Sequence, residues 1–272
     1  MGNLEQKHLV VQWVNDLLGP VLGPILARVG IHAQPGQELI PDYLVMSLLI
    51  VLAWAVLGLF LRSRLSVANP SRFQIVMEDL VSALVGLLDE WIGPRGRSFL
   101  PLVGALGAFI LVGNYAGLVP GLMAPTSNMN VTAGCAITIW IYYHVQGVRH
   151  QGLFSYLKHF AVPPGVPWWL FPIMIIIEPI SHAARVLSLT LRLFGNIFGE
   201  EMVIAILGML APFFIPLPMM VMALITGALQ AFIFVLLSII YLQGAAAVDS
   251  HDEPVGEPHT PHETQWAAAA GA

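Results

Sequence analysis

Long apolar stretches separated by short polar segments make up most of this chain. The first stretch, Tyr43 to Leu61, has 19 residues without a charge and is closed by Arg62 and Arg64. A membrane-spanning helix needs about 20 mainly apolar residues, so this stretch predicts one span. Further apolar stretches cover residues 98–148, 168–210 and 219–248. The pattern predicts an all-α membrane protein.

The stretch 98–148 carries no formal charge, but polar residues and prolines interrupt it at Pro120, Pro125, Ser127 and Asn130. Such an interval is typical of a turn, so we expect two spans here, joined as a hairpin. Together with the first stretch and the last two, the sequence predicts about five membrane-spanning helices.

Residues 71–91 show a different pattern, in which charged residues alternate with apolar ones at helical spacing. This pattern predicts an amphipathic helix that lies on the membrane surface and ends at Gly93 and Pro94.

The last two spans are unusually long for a bilayer. At about 1.5 Å per residue, 168–210 would extend roughly 65 Å and 219–248 roughly 45 Å, against a hydrocarbon core near 30 Å. They are separated by a proline-rich turn at 211–218. We therefore expect a strongly tilted hairpin, with Pro172 and Pro179 as candidate kinks in its first helix.

Basic residues set the expected orientation. The segments Arg62 to Arg97 and Arg149 to Lys158 carry most of them, and basic loops remain in the cytoplasm. We expect residues 1–40 to form an extracytoplasmic or interfacial leader and residues 41–248 a single membrane domain. The polar tail, 249–272, should be disordered and cytoplasmic.

Composition supports this class and narrows the chemistry. Hydrophobic residues make up 57% of the chain and charged ones 10%, with a mean hydropathy of +0.78. These values indicate an integral membrane protein. The net charge of −5 owes much to the tail and gives no reason to expect a nucleic-acid partner. The single cysteine, Cys135, lies in an apolar run, and we expect neither a metal nor a cofactor.

One predicted membrane helix carries charged side chains within its apolar sequence. A charged side chain at the bilayer centre costs on the order of 3 kcal/mol on insertion scales, so such residues usually mark an ion path or a buried counter-ion. At spacings of three, four and seven residues the polar side chains form one stripe of a helix. Its members are Glu178, His182, Arg185, Arg192, Asn196 and Glu200.

Two explanations of the stripe remain open for its first part. Glu178 can pair with His182 or Arg185 in a structural clamp, or these residues can carry ions. Arg192 is different, because the residues three and four positions away from it are Leu189, Ser188, Gly195 and Asn196, none of them acidic. Its counter-charge should come from another helix or another protein. A secondary transporter would also place charge in the membrane, but the chain shows no internal repeat.

The segment LSLTLRLFGNIFGEE (187–201), followed by GALQAFIFVLLSIIYL (227–242), resembles subunit a of the F-type ATP synthase, the stator of its proton channel. SNMNVT (127–132) and the Glu178 helix extend the similarity over about 98–245. The resemblance implies partners: a rotating ring of c subunits, the peripheral-stalk subunit b and the rest of the complex. It also implies a bacterial inner membrane. No glycine-rich phosphate loop is present, so nucleotide chemistry should belong to other subunits.

The resemblance also implies roles for individual residues. Arg192 matches the arginine that faces the ring carboxylate, Asn196 its polar neighbour, and Gln230 the glutamine of the last helix opposite it. Glu201 matches an acidic position of the outward half-channel and Glu178 one near the cytoplasmic half-channel. We expect His182, Arg185 and Glu200 on the same proton path.

The chain departs from the family in the first half of its last helix. The family often has a histidine or an acid there, whereas this chain has Ala223, Thr226 and Gly227. Glu201 should then be the principal outer relay. Adjacent residues point about 100 degrees apart on a helix, so we expect Glu201 to face the last helix and Glu200 to face the ring.

Overall fold

The computed structural model describes residues 11, 14–16, 40–66, 69–119, 122–152, 170–210 and 214–246. Parts of four sequence predictions fall outside these ranges. They are most of the leader, the second half of the basic loop after Arg149, the first three residues of the turn at 211–218, and the polar tail.

Within the described ranges the chain is helical and contains no strand. Two short 3-10 turns, Pro94–Phe99 and Pro125–Ser127, precede the third and fourth helices. The six long helices are α1 (Asp42–Arg64), α2 (Arg72–Trp91), α3 (Leu100–Ala116), α4 (Met129–Gln151), α5 (Phe171–Leu210) and α6 (Pro216–Ala246).

Four segments in the described part of the chain are long and apolar enough to cross a membrane. They are Asp42–Arg62, Pro94–Ala116, Phe171–Leu210 and Pro216–Gly244. The all-α membrane class is therefore confirmed. The fifth predicted span coincides with α4, whose 23 residues reach about 34 Å but include more polar side chains. For α4, membrane crossing stays a prediction.

The amphipathic segment forms α2, as its pattern predicts. Its first turn is capped by Ser71, whose hydroxyl accepts a hydrogen bond from the Gln74 backbone amide. The chain leaves the helix through Gly93, whose φ of 87° favours glycine. Beyond it, Arg97 donates three hydrogen bonds of 2.7 to 3.1 Å to Asp89. These bonds lower the pKa of Asp89.

The helices α5 and α6 form an antiparallel hairpin, and α3 and α4 cover one side of it. The closest packing joins α3 to α6, α4 to α5, and α5 to α6. Each of these four helices contributes a side chain to a common buried cluster, which includes Ile110, Ile139, Leu193 and Phe234. This arrangement leaves the other side of the hairpin free of contacts within the described chain.

The hairpin helices are as long as the sequence predicts. α5 has 40 residues and α6 has 31, or about 60 Å and 46 Å. Pro179 lies inside α5, and the helix continues through it. Both helices expose large apolar side chains, including Ile176, Leu210 and Leu229. Both lengths exceed the thickness of the hydrocarbon core. A helix of this length stays within lipid only if it is tilted from the membrane normal, as the sequence analysis expects.

Candidate functional site

The polar stripe predicted on α5 is present, and Arg192 lies near its middle. Arg192 is exposed on the surface of this chain, while Leu193 beside it is completely buried. The part of the chain that the structure describes provides no hydrogen bond or ion pair for the Arg192 guanidinium. The residues on its face of α5 include Gly195 and Gly199, and neither has another atom within 4 Å of its Cβ position. The guanidinium therefore projects into open space beside a smooth helix face.

One turn beyond Arg192, Asn196 connects α5 to α6. Its Nδ2 donates a 2.9 Å hydrogen bond to Oε1 of Gln230, a residue only 2% exposed. The resemblance placed Gln230 opposite Arg192, whereas its contact in the structure is with Asn196. This bond fixes the rotation of α5 against α6, and so it fixes the direction in which Arg192 points.

The two glutamates after Asn196 point to different elements, and the predicted directions are wrong. Glu200 was expected to face the ring, but its carboxylate accepts a hydrogen bond from the Thr226 hydroxyl of α6. Glu201 was expected to face α6, but it accepts a 3.1 Å hydrogen bond from the Ala124 backbone amide, before the turn that leads into α4. The reason is that the segment around the turn Pro125–Ser127 packs against α5 from the side, a contact that a helical wheel does not contain.

A buried polar network that the sequence analysis missed supports this end of the hairpin. Asn114 of α3, 5% exposed, donates a 3.0 Å hydrogen bond to the Gly227 carbonyl of α6. Its Oδ1 accepts a 2.7 Å bond from the hydroxyl of Thr126, which is fully buried. The signal was an asparagine near the end of an apolar run, since a buried amide needs partners.

Both glutamates line one cavity of about 270 Å³. Such a volume holds several water molecules, and carboxylates give them hydrogen-bond partners. The cavity is lined by Asn114, Gly117, Leu118, Leu122, Met123, Ile197, Glu200, Glu201, Ile204, Ala205 and Ala223. We call this region the Glu201 end of the hairpin.

The remaining predicted residues lie at the opposite end, which we call the Glu178 end. Nε2 of His182 is 3.8 Å from Oε2 of Glu178, so the contact considered for a structural clamp is present. The Arg185 guanidinium lies 5.6 Å from the centre of the Tyr241 ring of α6, a cation-π contact. His182 is 6% exposed. Here α5 meets α4 and α6 through rings, not through main-chain groups.

Metal-binding groups are sparse in the described ranges. Among these residues, no group of three or more histidine, cysteine, aspartate or glutamate side chains is arranged so that it could hold a metal ion. Cys135, 6% exposed, packs in the apolar cluster shared by α3 to α6.

Sequence comparisons agree with the family resemblance of the motifs. The family model described as ATP synthase A chain matches residues 43–243. The protein named ATP synthase subunit a from Trichlorobacter lovleyi is 47% identical over 201 residues, covering 72% of this chain and 86% of that protein. Its namesake from Citrifermentans bemidjiense is 45% identical over 215 residues, covering 79% and 92%. The Geobacter sulfurreducens protein of that name is 41% identical over 204 residues, covering 75% and 87%. This chain belongs to the ATP synthase A chain family.

Proposed function

We propose that this chain is the proton-translocating stator subunit of a rotary F-type ATP synthase in a bacterial inner membrane. In this role it works beside a rotating ring of c subunits and is held by the peripheral-stalk subunit b. Nucleotide chemistry takes place on other subunits of the complex. The observation that carries the proposal is the Arg192 guanidinium, which projects from an apolar helix without an acidic partner in the described chain.

An arginine in this position requires a counter-charge from outside. Leaving a charge unpaired in an apolar medium costs several kcal/mol, which is more than a protein tolerates without a use for it. The small residues on the same face, Gly195 and Gly199, leave room for a second helix to approach closely. A ring helix with a carboxylate at this depth supplies both the missing surface and the missing charge.

The chemistry explains why the residue is an arginine. A ring carboxylate must be protonated while it faces lipid and must release its proton at the stator. A guanidinium never deprotonates at physiological pH, so it favours the ionised carboxylate without relaying the proton itself. A lysine is a weaker choice, because burial lowers the pKa of an ammonium and can neutralise it.

The two ends of the hairpin serve as the two half-channels. Arg192 lies about 10 Å along α5 from Arg185 and about 13 Å from Glu201. Protons enter through the cavity at the Glu201 end and leave through the Glu178 end, with Arg192 preventing direct passage. Each 100 mV of membrane potential then supplies about 2.3 kcal/mol per proton for rotation. The N-terminus lies outside and the C-terminus in the cytoplasm.

Replacing the arginine tests the proposal. In membranes that contain the assembled complex, Arg192→Ala should abolish gradient-driven ATP synthesis, because the ring carboxylate loses the charge that favours its ionised form. The matched control is Arg149→Ala, which removes an exposed arginine near the end of α4. It should synthesise ATP at nearly the normal rate. Normal synthesis by an assembled Arg192→Ala complex would overturn the proposal.

A further inference from the structure

Rings from α4 and α5 meet at the Glu178 end and bring a second histidine to it. His144 of α4 lies with its ring centre 5.2 Å from that of His182. Trp140 and Tyr143 pack edge-on against His144, with ring centres 4.4 and 4.8 Å away. Tyr143 also stacks on His182 at 5.5 Å. The Nε2 atom of His144 is buried, although the residue as a whole is only half-buried. His144 is thus held firmly against His182.

His182 is the neighbour that Glu178 and His144 have in common. Its Nε2 is 3.8 Å from the Glu178 carboxylate, and its ring contacts that of His144. Depth along the helices differs among the three. Glu178 and His144 each lie seven residues, or about 10 Å, from the end of their helix, and His182 lies about 16 Å from the start of α5. From His182, two titratable side chains therefore lead towards the same end of the hairpin.

There is little room for water beside this group. The cavity next to His182 measures about 20 Å³. That volume holds about one water molecule, given polar partners such as His182 and Arg185. Proton movement here depends more on side chains than it does in the wide cavity at the other end. The charged and titratable groups placed around the two histidines are Glu178 and Arg185 on α5, Tyr143 on α4 and Tyr241 on α6.

We propose that His144 is a second proton acceptor for His182, working in parallel with Glu178 on the way to the cytoplasm. This inference rests on the proposed function and adds to it a branch through α4. In each transfer, the proton leaves one His182 nitrogen and is taken up by a neutral nitrogen of His144, directly or through one water. His144 then releases it to the cytoplasmic side and returns to the neutral form.

The electrostatics of the pair favour transfer over storage. Two imidazolium rings at 5.2 Å repel each other, and Arg185 adds a permanent positive charge near them. One shared proton is therefore more stable than two, and the second proton is readily given up. Arg185 itself never deprotonates, so it shapes the path without carrying the proton.

A double-mutant cycle in the complete complex distinguishes parallel branches from independent effects. His144→Phe keeps the ring contacts with Trp140 and Tyr143 but cannot accept a proton, and Glu178→Gln keeps the size of its side chain. If one branch can carry protons when the other is removed, either single variant should lower gradient-driven synthesis only a few-fold. The double variant should fall about tenfold further than the product of the two single effects, within the coupling range for neighbouring residues. Val145→Ala is the control, because it changes an exposed side chain next to His144 on α4, and it should change nothing.

A variant that keeps a titratable group separates a relay from a structural role. His144→Glu loses the ring contacts but can still accept a proton. In the Glu178→Gln background it should therefore restore part of the synthesis that His144→Phe loses. His144→Gln repeats the cycle if the phenylalanine variant does not assemble.

Either of two results would overturn the branch: effects of the two variants that simply multiply, or a His144→Glu variant that is no more active than His144→Phe in the Glu178→Gln background. The proposed function would survive both, because it depends on Arg192→Ala. Loss of synthesis in Arg192→Ala together with multiplicative effects at His144 and Glu178 would remove only the branch.

Discussion

The two ends of the α5 and α6 hairpin hold their ionisable groups in opposite ways. At the Glu201 end, carboxylates are fixed by a backbone amide and by a hydroxyl, beside a cavity of about 270 Å³. At the Glu178 end, a carboxylate, a histidine and an arginine are packed among rings beside a cavity of about 20 Å³. The cavity at one end is wide and lined by carboxylates, and the cavity at the other end is narrow and lined by aromatic rings.

The difference indicates two modes of proton transfer in the two half-channels proposed above. Several waters in the wide cavity bring protons close to the ring, and the glutamates then exchange them at its inner wall. At the narrow end, transfer must go through side chains in contact. We therefore expect ATP synthesis to depend strongly on the Glu201 carboxyl group and on the shape of the cavity beside it. We expect the Glu178 end to tolerate single changes if it is branched.

Removing the titratable group of Glu201 should have the largest effect at the wide end. Glu201→Gln retains an oxygen that accepts the Ala124 amide but cannot take up a proton. General acid-base groups contribute about a hundredfold or more, so we expect gradient-driven synthesis to fall on the order of a hundredfold. The measurement is the initial synthesis rate at fixed gradient, normalised to the amount of assembled complex.

Glu200→Gln is the matched comparison, because it changes the adjacent carboxylate of the same cavity. We expect a smaller loss, since its partner is a single hydroxyl on the α6 side. Near-normal rates in Glu201→Gln, Glu200→Gln and the double variant would show that water alone carries protons at this end. The glutamates would then not take part in proton transfer at the Glu201 end, and the two ends would differ only in the size of their cavities.

Changing the shape of the wide cavity should have an intermediate effect. A Cβ added at Gly117 would lie 2.7 Å from Oε1 of Glu201 and 2.9 Å from Cβ of Ala124, closer than such atoms can pack. Gly117→Ala must therefore displace the Glu201 carboxylate. Misplacement of a reacting group by about 1 Å costs up to a hundredfold, and we expect a loss of about tenfold in synthesis.

Gly134→Ala is the control for the glycine change, because nothing lies within 4 Å of that Cβ position. It should leave the rate unchanged. If the two alanine variants behave alike, the position of Glu201 does not matter to transport, and the water-filled cavity is the whole of the outer path.

Much of this architecture could be predicted from the sequence, because the signals are local. Two long apolar stretches separated by a proline-rich turn predict the α5 and α6 hairpin, and the spacing of polar residues predicts the stripe that includes Arg192. Ser71 and Gly93 similarly indicate where the amphipathic helix begins and ends. These features follow from the period of a helix and from the cost of charge in lipid.

Contacts between elements could not be predicted in the same way. The exchange of directions between Glu200 and Glu201 depends on where the segment around the turn Pro125–Ser127 packs against α5. The same is true of Asn114, whose partners are 12 and 113 positions away in the chain. In the sequence, His144 lies near the end of the apolar stretch 98–148 with no partner indicated, yet the packing of α4 on α5 brings it to His182. Long-range packing, not local pattern, decides these partners.

The smallest effect should come from a single hydroxyl at the wide end. The Thr226 hydroxyl donates to Glu200 and also lies 2.9 Å from the Met222 carbonyl. It has only one hydrogen, so it can point to Glu200 when that carboxylate is ionised and to Met222 when the carboxyl group is protonated. Thr226→Val keeps the shape and removes this choice. One such hydrogen bond contributes about 1 kcal/mol, so synthesis should fall about fivefold. Thr226→Ser keeps the hydroxyl and should restore most of the rate. If serine and valine lower the rate equally, the methyl group and not the hydroxyl matters, and Glu200 does not depend on α6 for its protonation.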